Sequence, residues 1–249
     1  MSLLQALGIL AAGCAAGALN VVVGSGTLIT FPVVLAFGYA PVVANVSNTI
    51  GLVPGSVAGA FGYRRELQGQ GPRVRTLAYA TGAGAATGAT LLLTLPPAAF
   101  KAIVPAFIGV ALILVLAQPR LGALLRRRRG HADERIGAAT LLAVYGAGVY
   151  GGYFGAAQGI LLLAILGLAL DDALQRLNAA KNVLAGLVNL LAGAIFAVVA
   201  HVAWPVVGLI AVGSVSGAVL GARYGRRLPA GPLRALIVAV GIVAIVRLL

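Results

Sequence analysis

The sequence predicts an all-α, polytopic membrane protein of two inverted-topology helical repeats, with short or broken helices at the centre. Three observations predict it. No Asp, Glu, Lys, Arg or His precedes Arg64, a run long enough for about three membrane passes at ~20 residues each. Hydrophobic residues form 61% of the 249-residue chain and charged residues 9%. The chain also repeats itself. Asn48…Ala58-Gly59-Ala60 recurs as Asn182…Ala192-Gly193-Ala194, and Gly84-Ala85…Gly88-Ala89…Leu95-Pro96 recurs as Gly217-Ala218…Gly221-Ala222…Leu228-Pro229, at offsets of 134 and 133. Third, matching loops swap charge. Arg64, Arg65, Arg73 and Arg75 follow the first stretch, where the second copy has only His201; the next loop has Thr94-Leu95-Pro96-Pro97 against Arg223, Arg226 and Arg227. Basic loops stay cytoplasmic, so equivalent corners are expected on opposite sides, as in inverted-repeat carriers.

The elements follow in order. Repeat one (1–118) reads as apolar segments 3–23, 27–38, 41–63, 76–95 and 99–118. A cytoplasmic linker, 119–135, joins it to repeat two (136–249), which reads as 136–154, 157–170, 174–200, 203–222 and 232–249. Together they form a single transmembrane domain, 1–249. Segments 27–38 and 157–170 are short for a full crossing: they either cross or form half-helices or re-entrant arms, which need cover from protein or a cavity. With loops 64–75, 119–135 and 223–231 in the cytoplasm, both termini fall outside. Five segments per repeat is an odd number, so parity inverts the second repeat independently of charge. Gly13-x-x-x-Gly17, Gly55-x-x-x-Gly59, Gly84-x-x-x-Gly88 and Gly213-x-x-x-Gly217-x-x-x-Gly221 read as helix-packing faces. Cys14 reads as a packing residue, and a lone cysteine excludes a cysteine metal cluster. Trp204, Tyr63 and Tyr224 read as interfacial aromatics.

The net charge of +13 does not mean nucleic-acid binding. Sixteen of the eighteen basic residues are Arg, placed in loops or at segment ends, as orientation signals and headgroup contacts require. Arg126-Arg127-Arg128-Arg129 reads as a juxtamembrane anchor. The expected partners are membrane lipids and a small anionic substrate. A homodimer is compatible with the small-residue faces, and nucleic acid is excluded.

The acids are Glu66, Asp133, Glu134, Asp171 and Asp172, all in loops or at segment ends. Cation carriers and proton pumps place carboxylates at mid-depth, so a cation substrate is disfavoured. Neutral polar residues do enter the membrane, in two matching clusters. One holds Asn20, Ser25, Thr27, Thr30, Asn45, Ser47, Asn48 and Thr49; the other holds Tyr153, Gln158, Asn178, Lys181, Asn182 and Asn189. Each joins a glycine-containing break to a polar start of the third segment, and a helix start offers N–H groups to an anion. The expected substrate-binding residues are therefore Asn20, Ser25, Thr27, Asn45, Ser47, Asn48, Gln158, Asn178, Lys181 and Asn182. Lys181 has two readings: an ammonium whose partner is the anionic substrate, or a lysine snorkelling to the interface. Catalytic motifs are missing: no Gly-x-Ser-x-Gly, His-Glu-x-x-His, Walker loop or Cys-x-x-Cys. No enzyme activity, metal or ATP site is expected.

Gly17-Ala-Leu-Asn20-Val-Val-Val-Gly24-Ser25-Gly26-Thr27, then Phe31-Pro32 and Ala44-Asn45-Val-Ser47-Asn48, resemble the first half of the TauE/SafE-type sulfite exporter family. Asn178-Ala-Ala-Lys181-Asn182 with Asn189, and Gly217-Ala-Val-Leu-Gly221-Ala-Arg223-Tyr224-Gly225, resemble its second half. The resemblance implies a secondary carrier in a bacterial or archaeal cytoplasmic membrane, without cofactor. Its implied cargo is a small, often sulfur-containing anion such as sulfite, thiosulfate or a sulfonate. The second break, Ala156-Ala157-Gln158-Gly159, has fewer glycines than the family's usual pattern. Two other readings fit the same residues: an anion channel of the same fold, and a membrane scaffold whose polar residues only join helices.

Overall fold

A computed structural model describes residues 1–127, 136–224 and 230–248. Among these, ten helices and no strands are found: α1 Leu3–Val22, α2 Thr27–Ala36, α3 Pro41–Gly62, α4 Gly71–Thr94, α5 Pro97–Arg127, α6 Ala138–Tyr153, α7 Gln158–Ala169, α8 Leu174–Val199, α9 Trp204–Tyr224 and α10 Ala230–Leu248. Leu3–Val22, Pro97–Arg120, Leu174–Val199 and Trp204–Tyr224 are long and apolar enough to cross a membrane. The all-α, polytopic membrane architecture is thereby borne out. α1 begins on a capping box, with the Ser2 hydroxyl accepting from the Gln5 N–H and the Gln5 side chain accepting from the Ser2 N–H. The two short segments are short helices. α2 has 10 residues and α7 has 12; at ~1.5 Å per residue each covers about half of a ~30 Å hydrocarbon layer.

Glycine decides which helices meet. α1 packs chiefly on α9 and α4 chiefly on α6, while α3 lies between α8 and α9. A Cβ on Gly217 would stand 1.8 Å from the Cys14 carbonyl oxygen, and one on Gly17 would stand 2.1 Å from that of Ser214. In the other pair, a Cβ on Gly84 would stand 2.2 Å from the Tyr145 oxygen and one on Gly152 2.2 Å from the Ala85 oxygen. Both pairs thus approach backbone to backbone through small residues. The pairing exchanges halves: the first helix of each five-helix set packs on the fourth of the other. Cys14 supplies backbone to this contact, as its packing role requires.

Four expectations are corrected. α5 continues through Pro119 to Arg127, so the expected linker 119–135 begins inside a helix; a proline in a long apolar helix did not end it. α4 starts at Gly71 with Pro72 in its first turn, so Arg73 and Arg75 are helical. Proline suits that position because the first N–H groups have no helical partner. Tyr63 is buried against Val21, Ala179 and Ala218 and is not an interfacial aromatic, unlike the exposed Trp204 and Tyr224. Finally, Pro41 and Leu174 open α3 and α8, so Asn45, Asn48, Asn178 and Asn182 sit one to two turns inside. The N–H groups of Asn48 and Asn182 belong to their own helices and are not offered to an anion. Arg128, Arg129, Asp133, Glu134, Arg226 and Arg227 lie outside the described residues.

Candidate functional site

The site grows from two helix breaks. α1 stops because Gly24 takes a left-handed conformation (φ 87°), and α6 stops because Gly155 does the same (φ 75°). In each case two successive N–H groups return to one carbonyl: Val23 and Gly24 to Leu19 O, Phe154 and Gly155 to Tyr150 O. This is the glycine cap by which helices commonly end. The breaks touch. The Gly159 N–H donates to the Gly24 carbonyl at 3.1 Å, and a Cβ on Gly24 would stand 2.5 Å from the Gly159 Cα. Behind the second break, Phe31 packs edge-on against Phe100 and Phe154.

Each break leaves carbonyls at the negative end of a helix dipole, and each is met by side chains from the opposite half. Asn178 Nδ2 and Asn182 Nδ2 donate to Val21 O at 3.1 and 3.3 Å, and Lys181 Nζ donates to Asn20 O at 2.9 Å and Val21 O at 3.5 Å. Reciprocally, Asn45 Nδ2 donates to Tyr153 O at 3.0 Å. Lys181 is 0% exposed. The snorkelling reading is overturned, because the ammonium finds its acceptors inside the bundle.

A cavity opens beside this junction. Its polar lining is Asn20, Thr27, Ser56, Gln158, Asn182 and Asn189, and Gly24, Gly59, Gly155 and Gly159 form part of its wall. The centres of water-sized molecules can occupy about 30 Å³ of it, room for about two waters. Asn20 is oriented by the Gly26 N–H, which donates to its Oδ1 at 2.7 Å, turning its NH₂ the other way. Gln158 donates to Ala147 O at 3.1 Å, in space that exists because residue 151 is glycine. Asn189 Nδ2 donates to Ser56 Oγ at 3.2 Å.

Four of the ten expected residues therefore line the cavity: Asn20, Thr27, Gln158 and Asn182. Lys181 stands behind the lining, its aliphatic chain against Gly159 and its ammonium on Asn20 and Val21. The other five are buried outside the lining. Asn48 is bonded by Thr30 and donates to Thr27 Oγ1 at 3.5 Å; Ser47 accepts the Ala203 N–H at 2.9 Å; Asn45 and Asn178 cap the breaks. Ser25 Oγ, Asn45 Oδ1 and Asn178 Oδ1 are buried and have no hydrogen-bond partner among the described residues. Two lining residues, Ser56 and Asn189, were not among the ten. Their signal was spacing: each follows a polar residue of the cluster, Thr49 or Asn182, by seven positions, the same face of a helix two turns on.

None of the acids among the described residues lines the cavity. Glu66 lies in the turn before α4, and Asp171 and Asp172 lie between α7 and α8. Asp172 joins the halves there, bonded by Arg73 at 2.8 Å and Arg176 at 2.9 Å, while Gln70 Nε2 donates to Arg176 O at 3.1 Å. Partial burial pushes the Asp172 carboxyl up, but hydrogen bonds from Arg73, the Ala173 N–H and Arg176 outweigh it and hold it below its ordinary value.

Residues 9–248 match the family described as "Sulfite exporter TauE/SafE". The chain belongs to that family. A "Probable membrane transporter protein ORF9" from Sinorhizobium sp is 29% identical over 245 residues, covering 94% of this chain and 88% of the relative. A "Probable membrane transporter protein" of Haemophilus influenzae is 26% identical over 211 residues, covering 85% and 81%. No solved structure matches the chain significantly. This TauE/SafE chain is thus a member of a membrane transporter family, and its paired breaks and cavity lie within the matched span.

Proposed function

We propose that the chain is a secondary carrier that exports a small, sulfur-containing anion (sulfite, thiosulfate or a sulfonate) across a bacterial or archaeal cytoplasmic membrane. The observation that carries this reading is the cavity beside the two breaks, lined by amides and hydroxyls, with no carboxylate among the described residues, and backed by the Lys181 amine. Neutral donors in a partly enclosed site bind an oxyanion without a competing negative charge, and a nearby cation adds attraction. Asn20, Thr27, Gln158, Asn182, Ser56 and Asn189 would contact the anion. Lys181 would act through the field it adds from behind them.

The cavity's size favours a carrier over an open channel. About 30 Å³ for water-sized centres is a local pocket rather than a wide pore. Alternating access would open it to each side in turn as the two halves, in an inverted arrangement, rock about the site. The exchanged helix pairing supports such an arrangement. Both termini would then lie outside, with the arginine-rich corner at Arg64 inside.

Proteoliposome flux with radiolabelled sulfite, thiosulfate and a sulfonate tests the function. Saturable flux of one of them, reduced by Asn182→Ala at equal amounts of folded protein, is expected. Folded wild-type protein that moves none of these anions would overturn it. Orientation is tested in a Cys14→Ala background with Gln68→Cys and His201→Cys. Impermeant thiol reagents should reach the two from opposite sides; labelling from one side sinks the inverted arrangement.

A further inference from the structure

Among the described residues, the Lys181 amine has only backbone carbonyls as its hydrogen-bond acceptors. Its side chain is completely buried, and its nitrogen lies 2.9 Å from Asn20 O and 3.5 Å from Val21 O. Leu19 O is already used by the Val23 and Gly24 N–H groups, so Asn20 and Val21 present the free end of the α1 dipole. Asp172, the nearest acid along the chain, is occupied by Arg73 and Arg176. The carbonyl end of a broken helix is where carriers built from inverted repeats hold a coupling sodium ion. Here a covalently attached ammonium fills that position. The other half differs: residue 47, which matches Lys181 at the offset of 134, is serine and bonds the Ala203 N–H. Among the described residues, Asn45 is the side chain that caps Tyr153 O.

We infer that Lys181 is a tethered coupling cation: it occupies the cation seat at the end of α1 permanently, so that the anion site needs no sodium ion to form. This rests on the proposed anion transport and adds to it how the site is charged. A mobile ion would have to be recruited, and would tie transport to its gradient. A tethered one keeps a fixed positive charge beside the cavity in every cycle. Removing the ammonium should therefore re-open a seat that a free monovalent cation can take.

The test compares wild type, Lys181→Ala and Lys181→Gln as purified full-length protein in detergent. Melting temperature is read in choline, sodium, potassium and methylammonium chloride at equal ionic strength. Wild type should melt alike in all four. Lys181→Ala should melt several degrees lower in choline, and sodium or methylammonium should recover at least half of that loss in a saturable way. Equal melting of Lys181→Ala in all four salts, or a wild type stabilised by sodium specifically, overturns the inference. Lys181→Gln keeps an amide donor for Asn20 O and guards against misfolding. It should remain folded yet lose anion flux by about tenfold or more, as loss of a nearby desolvated charge implies; full flux in choline would reduce Lys181 to a cap and overturn the inference. The two failures are separable. If wild type moves no anion but the cation-specific recovery holds, the transport reading falls and the cation seat stands. Anion flux that requires sodium in wild type sinks the tethered cation alone.

Discussion

Gly217→Ala adds one methyl group where α1 and α9 meet. Its Cβ would lie 1.8 Å from the Cys14 carbonyl oxygen, 2.7 Å from the Cys14 carbonyl carbon and 3.0 Å from the Ala18 nitrogen. All three are backbone atoms, so no side chain can rotate away. Real Cβ atoms essentially never come closer than 3.0 Å, so one helix must shift by about 1.2 Å, and the neighbouring contacts at Gly13, Gly17 and Gly221 loosen with it. Overpacking of this kind costs about 1–3 kcal/mol, at times more. For a chain of this size that is a fall of roughly 2–4 °C in melting temperature per kcal/mol. The control is Gly208→Ala on the same helix, where the added methyl meets nothing within 4 Å and alanine favours the helix. Thermal unfolding of the detergent-purified variants should place Gly217→Ala well below wild type and Gly208→Ala level with it or above. Gly88→Ala, whose methyl would stand 2.1 Å from the Val149 oxygen, should match Gly217→Ala, because α4 and α6 repeat the same contact. If Gly217→Ala melts with Gly208→Ala, backbone-to-backbone packing is not what pairs these helices.

Two further outcomes are expected. The Asp172 carboxyl is held below its ordinary value of 3.8 in the folded protein, so its contribution to stability is complete above that value and fades as pH falls through the lowered folded-state value. Melting temperature followed from pH 7 downward should show wild type and Asp172→Asn converging only at the acid end; a gap unchanged with pH would remove the ionic clamp to Arg73 and Arg176. Asn189→Asp places a carboxylate in the cavity wall opposite Ser56. It should leave a folded protein with anion flux reduced by about tenfold or more at neutral pH, and unimpaired flux would show that the anion does not pass there.

Much of the fold was legible because the bilayer leaves few options. The end of α1 was readable from Gly24, since glycine enters the left-handed region without strain. The limits of α4 and α5 were misread for one reason: Arg73, Arg75 and the run after Pro119 were charged or proline-marked, and both features were taken for loop. Gly71-Pro72 is in fact a starting signal, and proline survives inside a well-packed apolar helix. Of the cavity lining, Asn20, Thr27, Gln158 and Asn182 were legible because polar residues in an apolar chain are conspicuous. The partner of Lys181 was not, because every residue has a carbonyl and nothing in the sequence marks the two, some 160 positions earlier, that α1 leaves free. Asn48 belongs to the polar stretch near the start of the third segment, but Pro41 begins the helix, and two turns separate Asn48 from the N–H groups left free there.

The reciprocal capping of the breaks sets a timetable for biosynthesis. When the ribosome has delivered α1, the carbonyls of Asn20 and Val21 are already fixed at its end, yet Asn178, Lys181 and Asn182 are still unmade. Uncapped carbonyls at membrane depth cost several kcal/mol, so the opening of the chain must wait, sheltered by water or the insertion machinery, until its last third arrives. A chain truncated before α8 would keep a complete first half with that end unsealed, a ready mark for a membrane protease.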